Sequence, residues 1–213
     1  RVKTKNRFLC VTKPRRFGKT SVLNMLGAYY GKPYHSEMLF GGLSISMCRD
    51  YALHLNKYNV IRISMNELPG KGASYLDYIG RVTAILRNDI REAYPGLYDE
   101  EFLSLPDLLT ATGDEFVFLI DEWDYMFSQG LYQENQRDFL EFLRDLLKDR
   151  PYVALAYMTG VLPIQKYSTG SALNMFDEYT MLDDSLFGAY FGFTEEETRM
   201  LCSKQVQVKP EEV

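Results

Sequence analysis

The stretch K-P-R-R-F-G-K-T, residues Lys13 to Thr20, decides how the rest of this chain is read. It ends in Gly18, Lys19 and Thr20, which supply the G-K-[ST] half of a phosphate-binding loop. Such a loop needs main-chain N–H groups converging at a helix N-terminus, where the macrodipole also favours negative charge. Gly18 would let the main chain come close to a phosphate, Lys19 would reach the β- and γ-phosphates as a point charge, and the Thr20 hydroxyl would ligate a bridging magnesium ion. The general pattern G-x-x-x-x-G-K-[ST] opens with glycine, where this chain has Lys13.

The flanks supply the required context. Arg7 to Val11, R-F-L-C-V, is short and mostly apolar, as a buried parallel strand should be. After the loop, Val22, Leu23, Leu26 and Tyr30 recur at helical spacing, and Gly31 is a plausible stop. Strand, loop and helix follow in the order a phosphate loop needs.

About a hundred residues later the chain reads F-V-F-L-I-D-E-W-D from Phe116, an apolar strand ending in Asp121, Glu122, Trp123 and Asp124. A parallel strand that ends in carboxylates places them at the carboxyl edge of the sheet, where ligands of open α/β sheets collect. Asp121 is expected to hold magnesium with Thr20, and Glu122 to orient and polarise an attacking water. The bland alternative is a solvated acidic turn. Trp123 either stacks on a ligand or packs, and packing suits a residue that follows directly from a buried strand.

The 213 residues, 46% of them hydrophobic, suffice for one core or one core plus a small appendage. With no stretch near the ~20 apolar residues of a membrane span and no signal-peptide pattern at the start, a cytoplasmic location without membrane contact is expected. Three widely separated cysteines, Cys10, Cys48 and Cys202, suit reduced thiols, and two histidines with no C-x-x-C argue against structural zinc. Net charge is −5, but residues 1–36 carry nine Lys or Arg and no Asp or Glu, leaving fifteen basic against twenty-nine acidic residues beyond. A cationic block around the loop would focus potential on a triphosphate. A nucleic-acid surface is the competing account, because Arg1, Lys3, Lys5 and Arg7 alternate along the same stretch.

Further on, Val60–Met65, Tyr152–Met158 and Glu178–Leu182 read as strands. Ser74–Tyr94 reads as a helix with Ile79, Val82, Leu86 and Ile90 on one face, ended by Pro95 and Gly96. A second helix, Glu134–Lys148, carries the stripe Phe139, Phe142, Leu143, Leu146 and Leu147. The stretch from Leu103 to Phe116 looks too short for a helix with its loops. Strands alternating with helices predict an α/β fold, a five-stranded, mostly parallel sheet with helices on both faces. The fourth strand would deliver Thr159 to the edge that holds Asp121, either as a sensor of the γ-phosphate or attacking water or as half of a turn-forming Thr-Gly pair. Arg15 and Arg16 either contact phosphate or a neighbouring subunit, or are simply solvated.

K-P-R-R-F-G-K-T, L-F-G-G-L at Leu39, F-V-F-L-I-D-E-W-D, A-L-A-Y-M-T-G-V-L-P-I at Ala154, S-A-L-N-M-F-D-E-Y-T-M-L-D-D at Ser171 and Y-F-G-F-T-E-E-E at Tyr190 together resemble the bacterial AAA-ATPase-like family. The resemblance runs, in order, through nearly the whole chain. It implies a P-loop NTPase whose loop typically reads R-P-R-R-F-G-K-T, which accommodates Lys13. By the same resemblance Lys19 and Thr20 match the nucleotide and magnesium residues, and Asp121 and Glu122 match the acidic pair. With the loop and strand readings above, the expected site comprises nucleotide contacts from Arg15, Arg16, Phe17, Gly18, Lys19, Thr20 and Ser21, metal contacts from Thr20 and Asp121, and catalytic roles for Glu122, Lys19 and Thr159.

Many members continue into a C-terminal domain similar to PD-(D/E)xK nucleases. None of the eleven lysines here has Asp or Glu two residues before it, so that domain is expected to be absent from these residues. T-E-E-E, Thr194 to Glu197, reads instead as a capping box opening a helix. The expected division is a core over residues 1–190 and the start of a helical lid over 191–213. Members often have an arginine near the position of Pro163, where this chain departs. The resulting expectation is Mg-dependent ATP binding and hydrolysis that controls an attached or associated effector, with a homo-oligomer as one further partner. The alternatives are a nucleotide-binding regulatory module without turnover and a phosphotransferase, whose acceptor pocket the sequence does not locate.

Overall fold

The computed structural model describes residues 2–67, 72–97, 104–167, 172–180, 187 and 190–204. Five strands, β1 Phe8–Thr12, β2 Asn59–Ser64, β3 Phe116–Asp121, β4 Val153–Gly160 and β5 Asp177–Tyr179, form one sheet in the order β2-β3-β4-β1-β5. Every pairing is parallel. All five carboxyl ends therefore lie along one edge, with β4 between the loop strand β1 and the acidic strand β3.

The helices are α1 Lys19–Tyr30, α2 Glu37–Phe40, α3 Tyr51–His54, α4 Tyr75–Ala93, α5 Leu105–Ala111, α6 Tyr125–Ser128, α7 Gln136–Leu147 and α8 Glu195–Ser203. They cover both faces of the sheet because the central strands are apolar on both. In β3, Phe116, Phe118 and Ile120 pack with buried residues of α4, α5 and α7, while Val117 and Leu119 pack with Leu23 of α1. Period-two alternation in a strand buried on both sides thus divides the core into two layers. In β4 the register shifts opposite Phe116 and Val117, and the consecutive Ala154 and Leu155 both join the α1 layer.

The limits of β1 to β4 lie within two residues of those read from the sequence, β4 running on through Gly160, whereas β5 begins one residue early at Asp177 and ends at Tyr179, leaving Thr180 outside it. Thr159 and Gly160 are therefore paired strand residues opposite Val11 and Thr12, which removes the Thr-Gly turn as an account of Thr159. Of the fifth strand, Met181 and Leu182 lie outside the described residues. Helix α4 begins after Ser74, whose capping box with Asp77 is complete, and buries Tyr78, Val82, Leu86 and Ile90, leaving Ile79 partly buried. In α7 Leu140 joins the stripe in full, whereas Phe142 is only partly buried.

Between Leu103 and Phe116 the chain does form a helix, α5. Ser104 and Asp107 form a second capping box, Pro106 fits the first turn, and Leu105, Leu108 and Leu109 are buried. Seven residues suffice because tertiary burial, rather than propensity, stabilises so short a helix.

The cationic N-terminal block is not gathered around the loop. Lys3 hydrogen-bonds through its N–H to the Ala154 carbonyl at the start of β4 and pairs with Glu115 just before β3, so it lies at the amino edge of the sheet. Lys32 lies at that edge too, bonded through its N–H to Tyr58 and paired with Asp114. Lys5 and Arg7 precede β1 and so also fall on the amino side, and Arg1 lies outside the described residues. Only Lys13, Arg15, Arg16 and Lys19 of the nine belong to the loop itself.

Candidate functional site at the carboxyl edge

Where β1 ends, the chain turns through residues 13–18 and enters α1 at Lys19. Gly18 occupies the position before the helix with φ +76°, a left-handed conformation that glycine adopts without Cβ strain. No side chain caps this helix, so the amide donors of its first turn are not satisfied by a side-chain oxygen. Arg16 is also left-handed, with φ 71°.

Lys13 has no positive φ, so glycine is not required at the first loop position. Its N–H extends the β1–β4 ladder to the Gly160 carbonyl at 3.1 Å. Its buried side chain runs to the Thr180 carbonyl beyond β5, with Nζ to O 3.4 Å.

The Lys19 ammonium donates to the main-chain carbonyls of Lys13 and Pro14, both at 2.9 Å. The residue is 8% exposed, and desolvation holds its pKa below the ordinary 10.5, against the raising influence of Asp124, Asp121 and Glu122. Arg15 acts in the same direction as desolvation, which places its guanidinium within electrostatic range of Lys19. One residue on, Thr20 Oγ1 donates to Asp121 Oδ2 at 2.7 Å, joining the loop helix to the end of β3. Thr159 Oγ1 donates to the other oxygen, Asp121 Oδ1, which also accepts the Glu122 N–H at 3.1 Å. Asp121 is buried and receives hydroxyls from two different elements.

Glu122 follows with φ 50°, turning the chain sharply off the strand. The structure thus gathers Lys19, Thr20, Asp121, Glu122 and Thr159 at one mouth. Arg15, Arg16 and Ser21 are exposed at the loop and first helical turn, Phe17 is half-buried, and Trp123 is fully buried against Phe127, ring centroids 5.4 Å apart.

Asp124 had no role in the sequence reading beyond its place in D-E-W-D, yet it is 2% exposed and structures the mouth. Its Oδ2 accepts the N–H groups of Val161 at 3.0 Å and Leu162 at 2.8 Å, fastening the turn that follows β4. Glu178 fastens the next part of that turn, accepting the Ile164 N–H at 2.6 Å. Gly160 is the close-approach point: a Cβ there would lie 2.5 Å from Trp123 Nε1 and 2.6 Å from Asp124 Oδ1. The sequence signal was a carboxylate one helical turn past a buried strand end, but its partners are main-chain amides that no pattern announces. A cavity of about 510 Å³ along the edge strand β2, lined by residues such as Gly31, Val60 and Tyr94, shares none of these residues.

A parallel five-stranded α/β sheet with a glycine–lysine–threonine loop facing an acidic strand end defines a P-loop NTPase-like domain. The chain belongs to the AAA-ATPase-like family, described as predicted AAA-ATPase, which matches residues 1–169. No curated protein matches it. Membership in a family of that description implies nucleotide binding. No helix among the described residues is long and apolar enough to cross a membrane.

Proposed function

We propose that this domain binds Mg·ATP at the mouth between the loop and β3 and hydrolyses it. The observation that carries the reading is the contact of Thr20 Oγ1 with Asp121 Oδ2 at 2.7 Å, beside a buried lysine that follows a left-handed glycine. That donor set fits magnesium, a hard cation that takes one or two protein oxygens and completes its shell with phosphate and water. Thr20 and Asp121 would hold the ion, which when bound neutralises charge on the phosphates.

Lys19 offsets negative charge on the transferred phosphoryl group, and the uncapped amides of α1 bind the phosphates. Glu122, directed off the strand end, orients the attacking water. Thr159 positions Asp121 and is a sensor of the bound phosphate. The helix α8, with its completed Thr194–Glu197 capping box, is the beginning of a lid. Turnover would control an effector attached to or associated with the domain.

One observation favours a second reading, a switch that holds nucleotide without turnover: Lys19 rests on two carbonyls of its own loop. Phosphate release from Mg·ATP, measured on the wild type, Glu122→Gln and Lys19→Ala, separates the two. Turnover lost in both variants supports the enzyme. Tight binding by a wild type that releases no phosphate supports the switch, and a wild type that binds no nucleotide removes both.

A further inference from the structure

The segment Y-F-G-F, Tyr190 to Phe193, is not used by the chemistry above, yet it lies against the phosphate loop. Gly192, with φ +81°, brings the main chain onto Phe17, where a Cβ would sit 3.7 Å from Cδ1 and Cε1 of the ring. Phe191 turns inward: it is 9% exposed, belongs to the core layer of Leu9, Val11 and Tyr157, and lies 6.0 Å from the Lys13 ammonium. Its neighbours turn outward. Tyr190 is 72% exposed and Phe193 74%, an unusual expenditure of aromatic surface within two residues of a loop contact.

We propose that Tyr190 and Phe193, beside the half-buried Phe17, form the platform on which the base of a purine nucleoside triphosphate stacks. The inference rests on the reading of the loop as a phosphate site and adds where the other end of the ligand goes. Charge sets the polarity. Lys19 and the uncapped α1 amides take the anionic end, whereas the first turn of α8 carries Glu195, Glu196 and Glu197 and repels phosphate. The α8 N-terminus is also already satisfied, since Thr194 and Glu197 cap it reciprocally. What these acidic residues leave available at this end is aromatic surface, which suits a neutral, flat group. A purine presents the larger π-face and gains more from stacking than a pyrimidine.

The test is a calorimetric titration of the chain with ATP, CTP and inorganic tripolyphosphate, each with magnesium. The wild type is expected to bind ATP more tightly than CTP, and CTP more tightly than tripolyphosphate. The double variant Tyr190→Ala/Phe193→Ala is expected to lose about 10-fold in ATP affinity, with a smaller loss for tripolyphosphate. The variant Tyr190→Phe/Phe193→Tyr, which keeps both rings, should retain ATP affinity.

Equal affinity of the wild type for ATP and tripolyphosphate, or equal losses for both in the double Ala variant, overturns the platform while the loop reading stands. Tripolyphosphate alone tests the loop. Binding that Lys19→Ala abolishes upholds it, and failure of the wild type to bind tripolyphosphate sinks the loop reading and the platform with it.

Discussion

At the amino edge of the sheet, charged groups are paired with one another, Lys3 with Glu115 and Lys32 with Asp114. Asp114 also accepts from Tyr94 Oη at 2.6 Å and Asn59 Nδ2 at 2.9 Å, so its carboxylate is multiply engaged. At the carboxyl edge Lys19 donates to main-chain carbonyls instead, and three carboxylates, Asp121, Glu122 and Asp124, surround it electrostatically. The carboxylates there are organised by hydroxyls and amides: Thr20 and Thr159 on Asp121, Val161 and Leu162 on Asp124. One edge therefore sets its charges against one another, and the other holds its charges by main-chain carbonyls, hydroxyls and amides. Burying a lysine against its desolvation cost is unprofitable for stability alone. It is intelligible under the proposed reading, in which this edge receives an anion.

The largest expected effect lies at the carboxyl edge. Lys19→Ala should lower ATP turnover by roughly 1,000-fold while leaving the melting temperature unchanged or raised, because a desolvated ammonium is removed. Phosphate release and thermal melting check this together. A variant that unfolds would break the comparison, since the lysine would then be structural.

Asp124→Ala should cost about 3 kcal/mol, because the Val161 and Leu162 amides lose their buried acceptor. Asp124→Asn, which keeps an acceptor oxygen, should cost less. Denaturant unfolding gives both values. Gly160→Ala comes next at about 2 kcal/mol, the cost of forcing a methyl group toward Trp123 and Asp124, and Trp123 fluorescence should report the displacement.

At the amino edge, Asp114→Asn should cost about 1 kcal/mol near neutral pH. The pKa of Asp114 is lowered, first by the hydrogen bond from Tyr94 and then by Asn59 and Lys32, against desolvation. Its stabilisation is therefore complete above the ordinary 3.8 and is lost as pH falls through the lower folded value. Melting curves of wild type and variant should converge on the acid side of that window, and divergence there would contradict the assignment. The smallest effect is expected at Lys3→Ala, below about 0.5 kcal/mol, because Lys3 and Glu115 are both substantially exposed. ATP turnover should be unaffected, which sharpens the division between the two edges.

Legibility followed the range of the interaction. The loop could be read because glycine, lysine and threonine stand together within three residues where a strand turns into a helix, and that helix is locally patterned. The acidic strand end was legible for the same reason. Helix α5 was not found although S-L-P-D carries its capping box, because its apolar positions Leu105, Leu108 and Leu109 make too short a run to show a period. The N-terminal cations do not gather at the loop as their spacing suggests, because proximity along the chain is not proximity in space: a strand of five residues separates Arg7 from Lys13 and puts them at opposite edges.

By itself the sequence determined that a glycine–lysine–threonine turn would join a strand to a helix and which strand would end in carboxylates, since both depend on residue type and on neighbours a few positions away. Only the tertiary structure decided that β4 lies between β1 and β3, that Thr20 and Thr159 share Asp121, and that Asp124 fastens the turn after β4. Those facts depend on parallel pairing between segments separated by tens to more than a hundred residues. The alternation of apolar side chains prescribes burial of such strands without naming their neighbours.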